Sequence, residues 1–413
     1  MIDPKNLATA ALAALAAATQ ASAQPRWPGV DAALSPYVEK GELAGVITYA
    51  LKDGKLVHAS AIGKRDLETG APMQMDTIVR AFSMTKPVTA VAMAILYDEG
   101  KWRPEDPLAK VLPELADLKV FKGMDADGKP ILAAPAHQPT IGEVMTHTAG
   151  FSYGFNPGYV DDAYRANNPL RAPTSEDALK RIAGLPLAYE PGTKWQYSIS
   201  MDVEGLIVER LSGQSLPLFM QSRIFGPLKM VDTAFMVPEG KRDRFAQLYE
   251  WKDGRLQVPG PGPFNSAYAK VPGFAMGGGG LVTTASDYAR FAQMLLNGGT
   301  LDGAHILKPS TVRQIMTSHI SPEIAAGGYG IGQQQIRPGY EYGWNGVVVT
   351  DPERAGVAMG KGSYLWDGAA GTWFWVDPQN KVVFVGLIQR LGGENTPQVQ
   401  PVSQKAVKAS LGK

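Results

Sequence analysis

A serine three residues before a lysine, at the start of an apolar helix, is the first arrangement in this sequence that could do covalent chemistry. Ser83 and Lys86 lie one helical turn apart within the segment 80–87. Pro87 is tolerated only in the first turn of that helix, which places Ser83 at the helix N-terminus, beside the positive end of the helix dipole. A neutral lysine amine there could accept the serine proton, provided that burial or a nearby cation lowers the lysine pKa from about 10.4. The spacing is therefore compatible with a serine nucleophile that needs no histidine, or with an ordinary surface helix.

Two later segments contain residues that could complete such a site. Tyr197 follows a Pro-Gly turn and a tryptophan in the segment 190–199, where it is either a proton-handling group or a packed core residue. The segment 363–372 holds two glycines just before a strand, which let a ligand or another backbone approach, although a β-bulge would explain them too. Ser410 and Lys413 repeat the Ser-x-x-Lys spacing at the C-terminus, so this spacing alone does not indicate a site. Only the three segments together do so.

The elements that must position these segments change in type along the chain. Two strands are predicted near the N-terminus, at 44–51 and 56–62, joined at Asp53-Gly54. Strands are predicted again near the C-terminus, and helices broken by Pro and Gly loops predominate in the region between the two groups of strands. This order predicts an α+β fold in which both chain ends share one sheet. The predicted units are a discontinuous sheet domain, 24–100 plus 271–413, and an inserted, mostly helical domain, 101–270. The other expected elements are helices at 30–40, 141–145, 176–182, 201–211, 216–224 and 398–411 and strands at 372–376 and 382–388.

Taken together, the three segments resemble the serine β-lactamase and penicillin-binding-protein superfamily, and most closely its esterase branch, the family VIII carboxylesterases. That superfamily has Ser-x-x-Lys near the start, a Tyr motif in the middle and a Lys-Thr-Gly-like triplet on a late strand. The resemblance covers nearly all of the chain beyond its N-terminal segment. It implies a β-lactamase/DD-peptidase-like fold, with an antiparallel sheet flanked by helices and a mostly helical insert. The closer match is carried by Ser83-Met84-Thr85-Lys86, Pro191-Gly192-Thr193-x-Trp195-x-Tyr197-Ser198, Gly277-Gly278-Gly279-Gly280-Leu281, and Trp366-x-Gly368 followed by Ala370-Gly371-Thr372-Trp373-Phe374-Trp375.

The resemblance assigns a role to each reacting group. Ser83 would be the acylated nucleophile, with Lys86 and Tyr197 as the proton-handling pair. Tyr197 would be ionised or hydrogen-bonded to neutral Lys86, would pass the serine proton to the leaving alcohol, and would later activate the deacylating water. The backbone N–H groups of Ser83 and Ala369 would form the oxyanion hole. The resemblance implies neither a cofactor nor a metal.

Two departures from the β-lactamase pattern favour a neutral, apolar ester as substrate. Trp366 stands where the triplet has its lysine, which removes the cation that would hold the carboxylate of a β-lactam or peptide. Ile199 stands where an asparagine is expected, so a polar donor to a substrate amide is missing as well. A carboxylate at Asp367 would disfavour anionic substrates if it faces the site. The candidate substrate-binding residues are Trp366, Asp367, Gly368, Ile199 and Tyr153.

We therefore expect a carboxylesterase that cleaves short-chain acyl or aryl esters through an acyl-serine intermediate. A β-lactamase, a D-amino-acid peptidase or amidase, and an acyltransferase on the same site remain as alternatives. A further alternative is an acyl-binding sensor that is acylated at Ser83 and does not turn over. The expected partner is a small-molecule ester.

A second serine motif competes with Ser83 for the role of nucleophile. Gly150-Phe151-Ser152-Tyr153-Gly154 matches the Gly-x-Ser-x-Gly elbow of α/β-hydrolases. That elbow requires a strand before it and a helix after it, whereas 140–146 has a helical pattern and 156–158 a loop pattern. We therefore expect Ser152 to be structural and the loop 150–157 to line the mouth of the site. The five histidines show neither Ser-His-Asp order nor metal-ligand spacing.

The composition excludes several classes of function. The 413 residues are 45% apolar and carry 40 basic and 39 acidic side chains, so the net charge is +1. This balance gives no electrostatic footprint for nucleic acid or an anionic membrane, and the apolar fraction is too high for disorder. The absence of cysteine excludes disulfides, thiol nucleophiles and thiolate metal sites.

The N-terminal segment 1–23 is predicted to be a signal peptide. It has a lysine near its start, an alanine- and leucine-rich stretch at 7–18, and Ala21-Ser22-Ala23 before the expected cut. An alanine-rich helix is the alternative. The prediction places the mature protein in the periplasm or outside the cell. No later run approaches the roughly 18 apolar residues of a membrane span.

Overall fold

The computed structural model describes residues 25–260, 262, 265–327, 330–331, 334–335 and 338–412. The predicted signal peptide, 1–23, lies outside the described residues. Among the helices in these ranges, none has both the length and the apolar character needed to cross a bilayer.

A seven-stranded antiparallel sheet lies at the centre of the molecule. The strands are β1 (Gly45–Lys52), β2 (Lys55–Gly63), β3 (Val79–Arg80), β4 (Val120–Met124), β5 (Pro130–Ala133), β6 (Glu250–Lys252), β7 (Arg255–Gln257), β8 (Val282–Thr283), β9 (Thr300–Leu301), β10 (Ala304–His305), β11 (Gly330–Ile331), β12 (Gln334–Gln335), β13 (Tyr340–Tyr342), β14 (Val347–Val349), β15 (Tyr364–Asp367), β16 (Trp373–Asp377) and β17 (Val382–Leu387). The order in the sheet is β13-β14-β15-β16-β17-β1-β2. Because β1 pairs with β17, the two chain ends share one sheet, as the sequence predicts.

Local sequence explains the hairpin at one end of this sheet, β1–β2, and the hairpin at its centre, β16–β17. Asp53 and Gly54 between β1 and β2 have φ of 50° and 74°, the left-handed conformation that a tight two-residue hairpin turn requires. In β16 and β17 every residue is buried, which fits their continuous apolar sequences. Both faces of these strands are therefore covered.

Helices cover the two faces. The helices are α1 (Pro28–Glu39), α2 (Thr85–Asp98), α3 (Ile141–Met145), α4 (Tyr159–Ala166), α5 (Ser175–Ala183), α6 (Ser200–Ser212), α7 (Leu216–Met220), α8 (Ala285–Leu296), α9 (Pro309–Ile315), α10 (Pro322–Gly327), α11 (Pro352–Ala355) and α12 (Val399–Leu411). Trp373 Nε1 donates to Ser403 Oγ of α12, and the next residue, Phe374, contacts Tyr288 of α8. Since neighbouring strand residues face opposite ways, α12 and α8 lie on opposite faces of the sheet.

The segment between the two sheet-forming parts is mostly helical, as predicted, and it also contains the small hairpins β4–β5 and β6–β7. The predicted helices at 141–145, 176–182 and 201–211 correspond to α3, α5 and α6, each within one residue at either end. The predicted helix at 216–224 is α7 followed by a π-helical turn, Gln221–Phe225. One buried apolar cluster includes side chains of this segment and of the sheet, so the two share a core. The predicted domain boundaries remain predictions.

Helix α2 is central to the molecule and positions the candidate nucleophile. All its residues from Thr85 to Leu96 are buried, which agrees with its apolar character on every side. It packs against α6, and a short 3₁₀ turn, Phe82–Met84, precedes it. Pro87 is the third residue of α2, so the proline lies in the first turn, as the sequence requires.

Candidate active site

The structure brings Ser83, Lys86 and Tyr197 together around one oxygen atom. Lys86 Nζ lies 3.1 Å from Ser83 Oγ, and the Tyr197 hydroxyl donates to the same oxygen at 2.6 Å. Ser83 is partly exposed, whereas the lysine and tyrosine side chains are buried. A substrate can therefore reach the serine oxygen while both proton-handling groups stay shielded from bulk water.

Burial prepares Lys86 to act as a base. The side chain is 1% exposed, and this burial lowers the pKa of Lys86 to about 7, against the opposing effect of the carboxylates of Asp202, Glu204 and Asp367. Nζ also donates to the Gly278 carbonyl at 2.6 Å. Of the two causes that could lower the lysine pKa, burial and a nearby cation, burial is the one that acts here.

The glycine run 277–280 supplies the backbone that packs on Lys86. Thr89 Oγ1 donates to the Gly277 carbonyl at 2.7 Å, so α2 holds this run at a second point. A Cβ atom at Gly277 would lie 2.2 Å from the Met201 carbonyl, and one at Gly278 would lie 2.6 Å from the Tyr153 hydroxyl. Only glycine permits this approach, as expected for a backbone packed tightly beside the site.

Tyr197 is a neutral hydrogen-bond donor in this arrangement. Burial raises its pKa far above the ordinary value, and the hydrogen bond to Ser83 offsets only part of that effect. The sequence left open whether the tyrosine is ionised or bonded to neutral Lys86. Its hydroxyl bonds to Ser83, and Lys86 Nζ lies 4.6 Å from the centre of its ring.

The end of β15 lies against the chain just before Ser83. Thr372 Oγ1 donates to the Ala81 carbonyl at 3.0 Å, and a Cβ atom at Gly368 would lie 2.4 Å from that carbonyl oxygen. These contacts hold the turn that contains Ala369 close to the chain that leads into Ser83. The resemblance implies that the N–H groups of Ser83 and Ala369 bind an oxyanion.

The backbone at the nucleophile also has a feature that sequence reasoning missed. Phe82 has a φ of +46°, in the left-handed region that a bulky residue rarely occupies. Its side chain packs with Leu248 and Ala370, and the latter follows the second predicted oxyanion donor. Packing against the β15–β16 turn thus holds a strained conformation next to Ser83.

The predicted substrate-binding residues take different positions. Trp366 is 3% exposed, and its ring centre lies 5.7 Å from that of Tyr197. Tyr153 is partly exposed, and its ring centre lies 5.1 Å from that of Tyr197. Ile199 is buried in the core just before α6, and Asp367 accepts a hydrogen bond from Gln400 Nε2 of α12 at 2.8 Å.

Two buried carboxyl groups of α6 complete the surroundings of Lys86, and sequence reasoning did not find them. Asp202 accepts from the Gly278 N–H at 2.9 Å and from the Tyr153 hydroxyl at 3.3 Å. Glu204 accepts from Asn345 Nδ2 at 2.6 Å, and the same amide donates to the Lys86 carbonyl at 3.1 Å. Burial raises the pKa of both carboxyl groups. The available signal was the presence of Asp202 and Glu204 among the apolar residues in the first half of the helix that follows Tyr197.

Ser152 is not part of this site. Its side chain is fully buried, and Oγ donates to Asp161 Oδ1 at 2.8 Å. His147 is also buried; its Nδ1 lies 3.0 Å from Ser198 Oγ, and burial lowers its pKa well below the usual value, so the ring is neutral. It packs 4.9 Å from the Tyr197 ring and supports the tyrosine.

Comparisons with known proteins show the family and the fold of this chain. Protein Rv1367c of Mycobacterium tuberculosis is 36% identical to this chain over 370 residues, which cover 87% of this chain and 89% of that protein. Esterase EstB of Burkholderia gladioli is 30% identical over 366 residues, which cover 84% and 86% of the two chains. The solved structure of EstCE1, a hydrolase with promiscuous acyltransferase activity, has a TM-score of 0.78 at 23% identity and covers 92% of this chain and 98% of that chain. This superposition shows a common fold.

The family described as Beta-lactamase matches residues 30–407, which include the segments of Ser83, Tyr197 and Trp366. This match spans nearly all of the described residues. The chain therefore belongs to the Beta-lactamase family.

Proposed function

We propose that this protein is a carboxylesterase that hydrolyses esters through an acyl intermediate on Ser83. The observation that carries the proposal is the placement of Ser83 Oγ between Lys86 Nζ at 3.1 Å and the Tyr197 hydroxyl at 2.6 Å, with the pKa of Lys86 lowered to about 7. The relative EstB, which is named an esterase, supports the same reaction class.

In the acylation step each of these groups has a defined role. Neutral Lys86 takes the Ser83 proton while Oγ forms a bond to the ester carbonyl carbon, and the carbonyl oxygen becomes an oxyanion held by the N–H groups of Ser83 and Ala369. The bond from this carbon to the alcohol oxygen then breaks. Neutral Tyr197 donates its proton to the leaving oxygen and recovers one from Lys86.

Deacylation repeats these proton transfers with water in place of the serine. The water oxygen bonds to the acyl carbon as its proton passes to the Tyr197 and Lys86 pair, and the acid leaves as Ser83 regains a proton. The enzyme returns to its starting state, so no other reactant is needed.

The surroundings of Ser83 support a neutral substrate. Trp366 presents an apolar ring beside Tyr197, where a cation would be needed to hold the carboxylate of a β-lactam. We therefore assign the site to short-chain acyl or aryl esters, with β-lactam turnover slower than ester turnover. We also propose that the protein acts in the periplasm or outside the cell after removal of 1–23, which N-terminal sequencing of the exported protein would test.

A labelling experiment tests the proposal. The protein would be treated with a fluorophosphonate probe and analysed by intact-mass and peptide-mapping mass spectrometry, beside assays with p-nitrophenyl butyrate and nitrocefin. We expect one label, on the peptide of Ser83, fast hydrolysis of the ester and slow hydrolysis of nitrocefin. A label on Ser152, or on no serine, would contradict the site.

The rival functions give different results in the same assays. Comparable rates on nitrocefin and the ester would indicate a β-lactamase. Product transfer to an added alcohol in preference to water would indicate an acyltransferase. A single burst of product without steady turnover would indicate an acyl-binding sensor.

A further inference from the structure

An exposed aromatic ring continues the wall of the site toward solvent. Phe155 is 60% exposed, and its ring stacks on Tyr153 at 5.1 Å between centres and 21° between planes. Tyr153 in turn lies 5.1 Å from the Tyr197 ring, and Lys86 Nζ lies 5.3 Å from the Tyr153 ring centre. We call Tyr153 and Phe155 the aromatic ladder.

The other rings that contact Tyr197 lead into the protein interior. His147, Trp195 and Trp366 each pack on Tyr197, and all three are buried. Tyr153 is partly exposed and is the fourth described ring that contacts Tyr197. Of these four rings, Tyr153 is the one that contacts an exposed ring, that of Phe155. Any apolar group that extends outward past Tyr197 therefore meets the ladder.

The loop that carries Phe155 is held in place on both sides of this residue. The Gly154 N–H donates to Ser152 Oγ at 3.2 Å, and the Asn156 N–H donates to Asp161 Oδ1 at 2.9 Å. Arg165 donates to the carbonyls of Gly154 and Asn156. Gly154 has a φ of +81° and faces the Asp161 carbonyl, so this position accepts only glycine without strain. An exposed ring on a loop fixed in this way is preorganised for binding.

We propose that the aromatic ladder binds the alcohol half of the ester, and that the substrates are esters whose alcohol carries an aromatic ring or a similarly broad apolar group. The inference rests on the proposed ester hydrolysis. In that reaction Tyr197 gives its proton to the leaving oxygen, which places this oxygen beside the tyrosine hydroxyl. The remainder of the alcohol then extends along Tyr153 onto the exposed face of Phe155. Phe155 is thus a specificity-determining residue.

The test compares three esters that place the ring differently. 2-Naphthyl acetate has its ring in the alcohol, vinyl benzoate has its ring in the acyl group, and vinyl acetate has none. Steady-state constants for each would be measured by pH-stat for the wild type, for Phe155→Ala and for the control Leu218→Ala. Leu218 is 56% exposed on α7 and matches Phe155 in exposure.

We expect Phe155→Ala to raise KM for 2-naphthyl acetate about three- to tenfold relative to KM for vinyl acetate, the size of one aromatic stacking contact. Dividing each variant constant by the wild-type constant removes differences in leaving-group reactivity. Phe155→Leu, which keeps an apolar side chain without a ring, is expected to recover part of the loss. Leu218→Ala is expected to leave all three constants unchanged.

Other outcomes overturn the inference in distinguishable ways. Equal changes for all three esters, or no change, would remove Phe155 from substrate recognition and leave ester hydrolysis intact. A change confined to vinyl benzoate would place the acyl group on the ladder and overturn the assignment to the alcohol. Failure of the wild type to hydrolyse any of the three would overturn the proposed function and the inference together.

Discussion

The molecule contains two serines in motifs typical of hydrolases, and their surroundings differ in every respect that matters for reactivity. Ser83 is partly exposed, and its oxygen lies between Lys86 Nζ and the Tyr197 hydroxyl. Ser152 is fully buried, and its hydroxyl proton is used in a hydrogen bond to the carboxylate of Asp161.

The hydrogen bonds of Ser152 are also saturated. Its oxygen accepts from the Gly154 N–H at 3.2 Å and from Gln196 Nε2 at 3.1 Å, so both acceptor positions and the donor are occupied. Ser83, in contrast, faces an amine whose pKa is lowered to about 7 and which can take its proton near neutral pH. The comparison teaches that the partner groups and the exposure of a serine decide its reactivity, and that flanking glycines do not.

Replacing each of the two serines by alanine should affect turnover to very different extents. Ser83→Ala is expected to lower kcat/KM for p-nitrophenyl butyrate by about a thousandfold or more, because the covalent intermediate is lost. Ser152→Ala should retain most of the activity, since its hydroxyl contacts no reacting group. Steady-state assays on purified variants measure both. Equal losses would contradict the distinction between the two serines.

Removal of the base should have nearly as large an effect. Lys86→Ala is expected to lower kcat about a hundred- to ten-thousandfold, because neutral Lys86 is the proposed acceptor of the Ser83 proton. The matched control is Lys180→Ala, which removes an exposed lysine of α5 and should leave kcat unchanged. A Lys86→Ala enzyme with near-normal kcat would assign the proton transfer to another group.

The pH profile tests the charge state of the base. Since the pKa of Lys86 is lowered to about 7, the amine is neutral above this pH and protonated below it. We expect kcat/KM to level off above about pH 7 and to fall about tenfold per pH unit in acid. Asp202→Asn removes a negative charge that raises the pKa of Lys86, so the acid limb should move to lower pH.

The control for the pH profile is Glu176→Gln, which changes an exposed carboxylate of α5 and should leave the limb in place. If kcat/KM does not change between about pH 5 and about pH 8, Lys86 is not the group that titrates.

The smallest expected effect concerns stability. Ser152→Ala leaves the buried carboxylate of Asp161 without one of its donors, so the free energy of unfolding should fall by about 1–3 kcal/mol. Ser83→Ala should not destabilise the fold, because functional groups are often retained at a cost in stability. Urea denaturation measures both variants. A Ser152→Ala protein as stable as the wild type would show that the loop does not depend on this bond.

The elements that local sequence controls were predicted well. The β1–β2 hairpin follows from Asp53-Gly54, and α3 follows from a capping box in which Thr140 and Glu143 bond to each other's backbone N–H. The hairpins β4–β5 and β6–β7 were not predicted, because their strands are short and lie among helices and loops. The β3–β8 pair could not be predicted either, since its strands have two residues each and pair only through tertiary contacts.

For the site, the sequence predicted which three side chains come together and did not predict the groups that surround them. Ser83, Lys86 and Tyr197 come together as the motifs indicate. Asp202 and Glu204 escaped notice because an acidic residue in a helix is usually exposed, and its burial depends on what packs over it. Phe155 lies in the loop 150–157, which the sequence predicts at the mouth of the site, but it was not singled out because a single aromatic residue in a loop has no sequence pattern.

Local sequence is enough to set the relative positions of groups that lie within one turn or one hairpin. The backbone geometry of a helix places Lys86 one turn from Ser83 wherever that helix lies. The ability of the lysine to act as a base, in contrast, depends on tertiary packing. Its pKa is lowered because α6 and the glycine run 277–280 exclude water from it, and both come from distant parts of the chain.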